Sequence, residues 1–208
     1  MSAATRMPAP ATVATGFWAD MARAARIVLL NGPGSVGKSS VAATLQAIAP
    51  RPLLHLSMDR FCEMLPDRFQ DHADTFLFDT RQVGGQTETG VVTGAKGRAL
   101  LAAMRRSVAA LADAGFDLVV DDVWLDGEPA DYAGLLRGHR VWRVGLTAPL
   151  AVLEERERDR DDRALGLARA QLPLVHRDVA YDLTIDTAGV TAEDVARRIA
   201  ALAGLLAP

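Results

Sequence analysis

Four groups of residues in this sequence have the types and spacing to do chemistry on a phosphate. The first is Gly32-Pro33-Gly34-Ser35-Val36-Gly37-Lys38-Ser39, followed by Ser40. It fits G-x-x-x-x-G-K-[ST], the P-loop pattern, with Gly32, Gly37, Lys38 and Ser39 at the fixed positions. Glycines let backbone N–H groups turn onto phosphate oxygens with no Cβ in the way. Lys38 would reach the β and γ phosphates, and Ser39 would place its hydroxyl on Mg²⁺. Gly32–Ser40 is therefore the expected binding loop for a nucleoside triphosphate. No N-K-x-D stretch is present, which argues against a guanine-specific switch GTPase.

The other three groups follow in chain order. Asp59 comes just after a second apolar run, Leu53–Leu56. In a small-molecule kinase a carboxylate there can take the proton of an attacking hydroxyl and hold that hydroxyl in line with the γ-phosphate. The same aspartate could instead N-cap a helix that begins at Arg60. Asp121 and Asp122 end the run Leu118-Val119-Val120, a Walker-B-like ending where a carboxylate holds Mg²⁺ directly or through water. Adjacent strand residues point to opposite faces, so only one of the two can face the loop, and spacing does not choose between them. Last, Glu154–Arg163 is dense in charge of both signs. Arg156, Arg160 and Arg163, spaced four and three apart, would share one helix face. Three guanidinium groups suit the phosphates and the charge that develops on a transferred group. On the charge pattern alone, a solvated helix with internal ion pairs is the better fit. His55, His72, His139 and His176 are scattered and form no zinc-ligand pattern.

These residues need elements to position them. Ile27–Leu30 reads as a strand buried on both faces, and Ser40–Ala49 as the helix that follows the loop. Strand, glycine-rich loop and helix in that order is the context the motif requires. Pro50-Arg51-Pro52 ends the helix. Arg60–Met64 looks like a short helix stopped before Pro66. Pro66–Lys96 reads as long and irregular, with Val91-Val92 as a possible edge strand; a loop of that size suits a lid or a substrate wall. Arg98–Ala114 is a helix with Leu101, Met104, Val108 and Leu111 on one stripe and Gly115 at its C-terminal end. Phe116–Val120, Val141–Leu146 and Leu183–Ile185 are strands. Ala130–Leu136, Pro149–Asp159 and Thr191–Leu202 are helices, with Pro149 at the favoured first position and Thr191 as N-cap. Alternating strands and helices give an α/β fold with a mostly parallel five-stranded sheet covered on both faces. Ligands in such sheets bind beyond the carboxyl ends of the strands, so the loop, Asp59 and Asp121-Asp122 should meet in one crevice.

The chain's bulk properties set bounds. With 208 residues, residues 1–25 read as a flexible N-terminal arm and 26–208 as one domain with a full core. Within the arm, Phe17–Ala25 could form a short helix that packs Phe17, Trp18 and Met21 on the domain. The net charge of −3 gives no electrostatic case for nucleic acid or an anionic membrane surface. No secretory h-region and no apolar run of membrane-spanning length are visible. The single cysteine, Cys62, allows no internal disulfide and fits a reducing cytoplasm. Nothing here sets the oligomeric state.

Laid out together, VLLNGPGSVGKSS, SMDRFCEMLP, GVVTG, VVDDVWL, VWRVGL, ERERDRDDRALG and VHRDVAYDLTIDT resemble the chloramphenicol phosphotransferase-like family of P-loop kinases, from about Arg26 to Leu202. The resemblance implies a nucleoside-kinase-like P-loop fold with an arginine-bearing lid. It implies phosphorylation of a small molecule's hydroxyl by MgATP, with the acceptor an antibiotic such as chloramphenicol. It also implies that Asp59 is the catalytic base, and that Arg156, Arg160 and Arg163 belong to a lid over the phosphates. Met64–Thr93, the expected substrate wall, departs most from the family. The aromatic and apolar residues between Asp59 and Phe78 favour a partly apolar acceptor. Two alternatives stand beside this reading: a kinase of a sugar acid, shikimate or nucleoside, and a nucleotide-binding regulator that transfers no phosphate.

Overall fold

The structure is a computed structural model that describes residues 23–125, 128–160 and 164–206. Five parallel strands form its sheet: β1 (Arg26–Asn31), β2 (Leu53–Ser57), β5 (Asp117–Asp122), β6 (Arg140–Thr147) and β7 (Leu183–Asp186). Their spatial order is β2-β5-β1-β6-β7. The remaining two strands, β3 (Phe76–Val83) and β4 (Gln86–Thr93), make a separate antiparallel hairpin. The helices are α1 (Lys38–Ile48), α2 (Met58–Cys62), α3 (Ala95–Asp113), α4 (Glu128–Leu135), α5 (Leu150–Arg158), α6 (Leu167–Gln171) and α7 (Ala192–Ala203).

The sheet residues are apolar on both faces because helices cover both. Val28, Leu30, Val119, Val144 and Ile185 pack with Val41, Leu45, Val195 and Ile199 from α1 and α7. Ile27, Leu29, Leu118 and Val120 pack on the other face with Met104, Val108 and Tyr132 from α3 and α4. The strict alternation along β1 and β5 is the period of two that a strand imposes. At the far end of the sheet, Asp117 accepts from the Arg23 and Arg26 side chains at 2.9 and 2.6–2.9 Å. Burial raises its pKa, but these guanidinium partners outweigh burial and hold the carboxyl below its usual range. Arg23–Ala25 are non-helical; the rest of the arm, with Phe17, Trp18 and Met21, lies outside the described residues.

Several expected boundaries shift for local reasons. The segment expected to be irregular carries the β3–β4 hairpin, closed by Gly84 and Gly85, both at positive φ (58° and 79°). Two positive φ values in a two-residue turn match the strand twist, and glycine adopts them without strain. The helix after β2 starts at Met58 rather than Arg60, with Ser57 in the N-cap conformation. α3 starts three residues earlier than its apolar stripe indicates, directly after Gly94, an extended N-cap residue packed so closely on Ala73 and Asp74 that a Cβ there would fall 2.1 Å from a carbonyl oxygen. Pro149 is the N-cap of α5 rather than its first residue. Thr191 is the N-cap of α7 and shares a reciprocal capping box with Asp194, as its sequence signature indicates.

Candidate active site

The strand order explains why the candidate residues meet. β5 lies between β2 and β1, so Asp121 sits level with Ser57 on one side and Leu30 on the other. The chain beyond Ser57 leads to Asp59, and the chain beyond Asn31 leads into the glycine-rich loop. All three therefore open onto one cavity of about 830 Å³, lined among others by Gly34, Lys38, Ser39, Asp59, Asp121 and Arg160.

The loop has the geometry its glycines allow. A Cβ on Gly32 would fall 2.4 Å from the Leu146 carbonyl oxygen, so β6 approaches too closely for any other residue. Gly37, at φ 97°, precedes α1 with no side-chain cap, which leaves the first N–H groups of that helix open to an anion. Lys38 is buried and folds back over the loop, its Nζ donating to the carbonyls of Gly32 and Pro33 at 2.8 and 3.0 Å. Ser39 Oγ donates to Asp121 Oδ2 at 2.6 Å, and Lys38 Nζ lies 3.9 Å from the same carboxylate.

The two aspartates at the end of β5 diverge. Asp121 is on the face of α1 and the loop. His55 approaches it from β2 at 3.9 Å, and burial holds that imidazole below its ordinary pKa despite the nearby carboxylate. Asp122 points to the opposite face. Its Oδ2 accepts from Tyr132 Oη at 2.9 Å and Trp124 Nε1 at 3.2 Å, and Arg105 lies 3.8 Å away. Burial, with Asp122 beside it, pushes the Tyr132 phenol well above its usual pKa. As a metal ligand Asp122 is thus corrected: it braces the α3–α4 face and does not reach Ser39. Strand alternation makes the choice once the register is fixed.

Asp59 is the second residue of α2 and is half-buried on the cavity wall. It does not occupy the N-cap, so the capping alternative is corrected to a first-turn carboxylate. One turn on, Cys62 also lines the cavity. Burial and then the Asp59 charge push its thiol up to about 12, which leaves it inert as a nucleophile.

The arginine segment differs from the expected single face. α5 ends at Arg158, so Arg156 and Arg160 are not on one helix, and Arg163 lies outside the described residues. Arg156 binds Thr187, donating to its Oγ1 at 3.0 Å and its carbonyl at 2.9 Å, and Thr187 Oγ1 donates to the Val36 carbonyl in the loop. Arg156, Arg160 and Thr187 line a second pocket of about 360 Å³ on the outer flank of the loop. Arg160 lines both pockets.

Three residues at the site escape the sequence reading. Glu157 is 2 % exposed and accepts from the backbone N–H groups of Gly166 and Ala168 at 2.7 and 2.9 Å, which caps α6 and ties it to α5. Its place four residues after buried Leu153, on the inner face of α5, was the available signal. Gln171 Oε1 accepts from Gly34 N–H at 2.7 Å. Arg105, one residue beyond the α3 stripe, is buried in the cavity wall between Asp122 and Asp131, the latter at 3.2 Å. The hairpin joins this assembly through Thr89, whose N–H and hydroxyl donate to the carbonyls of Gly166 and Leu165 at 3.1 and 2.7 Å.

The comparisons with known proteins agree with this geometry. The sequence model of the family described as "Chloramphenicol phosphotransferase-like protein" matches residues 25–203. A Mycobacterium tuberculosis protein named "Putative O-phosphotransferase" is 30% identical over 182 residues, covering 84% of this chain and 80% of its own. Among solved structures, a tunicamycin resistance protein of Deinococcus radiodurans is 25% identical with a TM-score of 0.60, covering 88% of this chain and 99% of its own. The fold is also that of a sugar kinase from Janibacter sp. (18% identity, TM-score 0.62, 87% and 95% coverage). It is shared too by the M. tuberculosis APS kinase solved with AMPPNP and APS (18%, 0.60, 86% and 98%). A parallel five-stranded sheet, a glycine-rich loop opening onto one cavity, and a family match over most of the chain lead to one identification: this protein belongs to the chloramphenicol phosphotransferase-like family and is a P-loop small-molecule phosphotransferase.

Proposed function

We propose that the protein transfers the γ-phosphoryl group of MgATP to a hydroxyl of a small, partly apolar acceptor, an antibiotic such as chloramphenicol. The observation that carries this reading is the single 830 Å³ cavity. It joins the phosphate loop and Asp59 to an apolar wall that includes Met58, Phe76, Phe78, Val91 and Leu101. That size is within the range of small-molecule sites. The likeness to a protein named for tunicamycin resistance supports a resistance-type acceptor.

In this mechanism Asp59 orients the acceptor hydroxyl and takes its proton. Loop N–H groups, Lys38 and Arg160 meet the charge on the phosphates, and Arg163 would join them. Arg156 acts further out, holding Thr187 against the loop beside the smaller pocket, which suits the nucleoside. Ser39 and Asp121 offer two hard oxygen donors side by side and would hold Mg²⁺. A divalent cation held by these two side chains would supply positive charge against the phosphates. Among the described residues no helix is long and apolar enough to cross a membrane; the single cysteine suits a reducing cytoplasm.

A sugar-acid or shikimate-type acceptor would draw on Arg98 and Arg105 at the acceptor end. Asp122 and Asp131 already match the charge of Arg105, which favours the neutral acceptor. The test is a screen of hydroxylated antibiotics and metabolites with MgATP, read by mass. Gain of one phosphoryl group on a neutral, apolar alcohol is expected. Gain only on carboxylated metabolites would overturn the choice of acceptor.

A further inference from the structure

Gln171 closes α6 and is 7 % exposed, yet its side chain reaches the phosphate loop. The Gly34 N–H it accepts can only donate, so the amide oxygen must be the end that faces the loop. That fixes the other end as the NH₂ group. Among the described residues Nε2 has no protein hydrogen-bond partner, and it is not sealed from solvent. Gln171 lines the large cavity with Lys38, Ser39 and Asp59. Two donors at the edge of a cavity, on a side chain otherwise buried and anchored, form a preorganised site for an anionic oxygen.

The two pockets give the direction in which a nucleotide would lie. Val36, Arg156 and Thr187 belong to the outer pocket, whereas Gly34, Lys38, Gln171 and Asp59 belong to the large cavity. A nucleoside in the outer pocket would send its phosphates across Ser35 and Gly37, which border both. The terminal phosphate then arrives beside Gly34 and Gln171, on the side of Asp59. Glu157 supports this placement by capping α6, the helix that carries Gln171.

We propose that Gln171 is a catalytic residue whose Nε2 donates hydrogen bonds to the terminal phosphate of the bound triphosphate and keeps them during transfer. This rests on the reading of the site as a kinase. The bond from the γ-phosphorus to ADP breaks, a bond to the acceptor oxygen forms, and the hydroxyl proton goes to Asp59. Gln171 gives up no proton and lends only its N–H dipoles.

The test uses the full chain with Mg²⁺ and compares Kd for a non-hydrolysable ATP analogue with Kd for ADP. Gln171→Glu keeps an oxygen for Gly34 N–H but replaces the donors with negative charge. It should weaken the ATP analogue by about tenfold to a hundredfold, the size of a lost hydrogen bond to a charged group. ADP, which lacks the terminal phosphate, should be weakened less, so that the ratio of the two Kd values shifts against the triphosphate. Turnover should fall by about 10²–10³, as for other single donors to a transition-state oxyanion. If Gln171→Glu does not fold, Gln171→Met carries the same ratio test, because losing the Gly34 anchor affects both nucleotides and losing the donors affects only the triphosphate. An unchanged ratio in the folded variant overturns the proposal and leaves Gln171 as a buttress of the loop, while a parent that still phosphorylates its acceptor keeps the kinase reading. A parent that binds neither nucleotide overturns both.

Discussion

Asp121 lies at the end of β5 and Asp59 in the helix that follows β2, and their surroundings separate their work. Asp121 is buried and held by Ser39, with Lys38 and His55 nearby. Its charge is matched locally, which suits a metal-facing role. Asp59 stands on the cavity wall in the first turn of α2, where the helix N-terminus favours its charge. Asp59→Asn removes the charge and the proton acceptor but keeps the shape. The dipole contribution lost is about 0.3–1 kcal/mol, so the melting temperature should move by no more than a few degrees. Turnover should fall by about 10²–10⁴ if Asp59 is the base, towards the low end if transfer is loose. The paired measurement is a thermal melt and a rate with the acceptor found in the screen. Parent-like turnover would remove Asp59 from the mechanism.

At the scale of elements, the sheet was legible because buried parallel strands and the P-loop carry strong local signals, such as Ile27–Leu30 and Gly32–Ser40. The hairpin and α6 were not. β3 and β4 expose residues such as Leu77, Phe78, Val83 and Val92, so they lack a clean inward and outward alternation. α6 is five residues long, too short to show a period, and is held by a distant carboxylate rather than by its own propensity. The direction of Asp122 depended on register, which no spacing within one strand reveals. Glu157 is the residue that ties α5 to α6, and this gives it a testable weight. Glu157→Gln leaves one acceptor for two backbone donors and sets an NH₂ group against the other. One buried unsatisfied donor costs about 1–3 kcal/mol. In a chain of this length the melting temperature should drop by roughly 2–10 °C. An unchanged melt would show that solvent reaches this cap and that α6 does not depend on it.

At the scale of the whole molecule, two pockets flank one loop; under the proposed function they form a path for a nucleotide that ends beside an acceptor hydroxyl at Asp59. The sequence alone conveyed the phosphate end of that path, the family, Asp59 and the stretch Met64–Thr93 as the expected substrate wall, but not the shape of that wall. Within that stretch the β3–β4 hairpin was not legible, because its placement depends on contacts such as Thr89 with Leu165 and Gly166, some seventy-six residues apart in the case of Leu165. A nucleotide-binding regulator could share the loop, but it would have no use for an apolar chamber around Asp59. The measurement that bears most directly on transfer is ADP formation from MgATP as a function of acceptor concentration, with phosphorylated acceptor counted in the same samples. The account predicts that ADP formation rises with acceptor, that product matches ADP one for one, and that both vanish in a folded Lys38→Ala variant. ADP formation indifferent to every hydroxylated acceptor, or full turnover in Lys38→Ala, would contradict it.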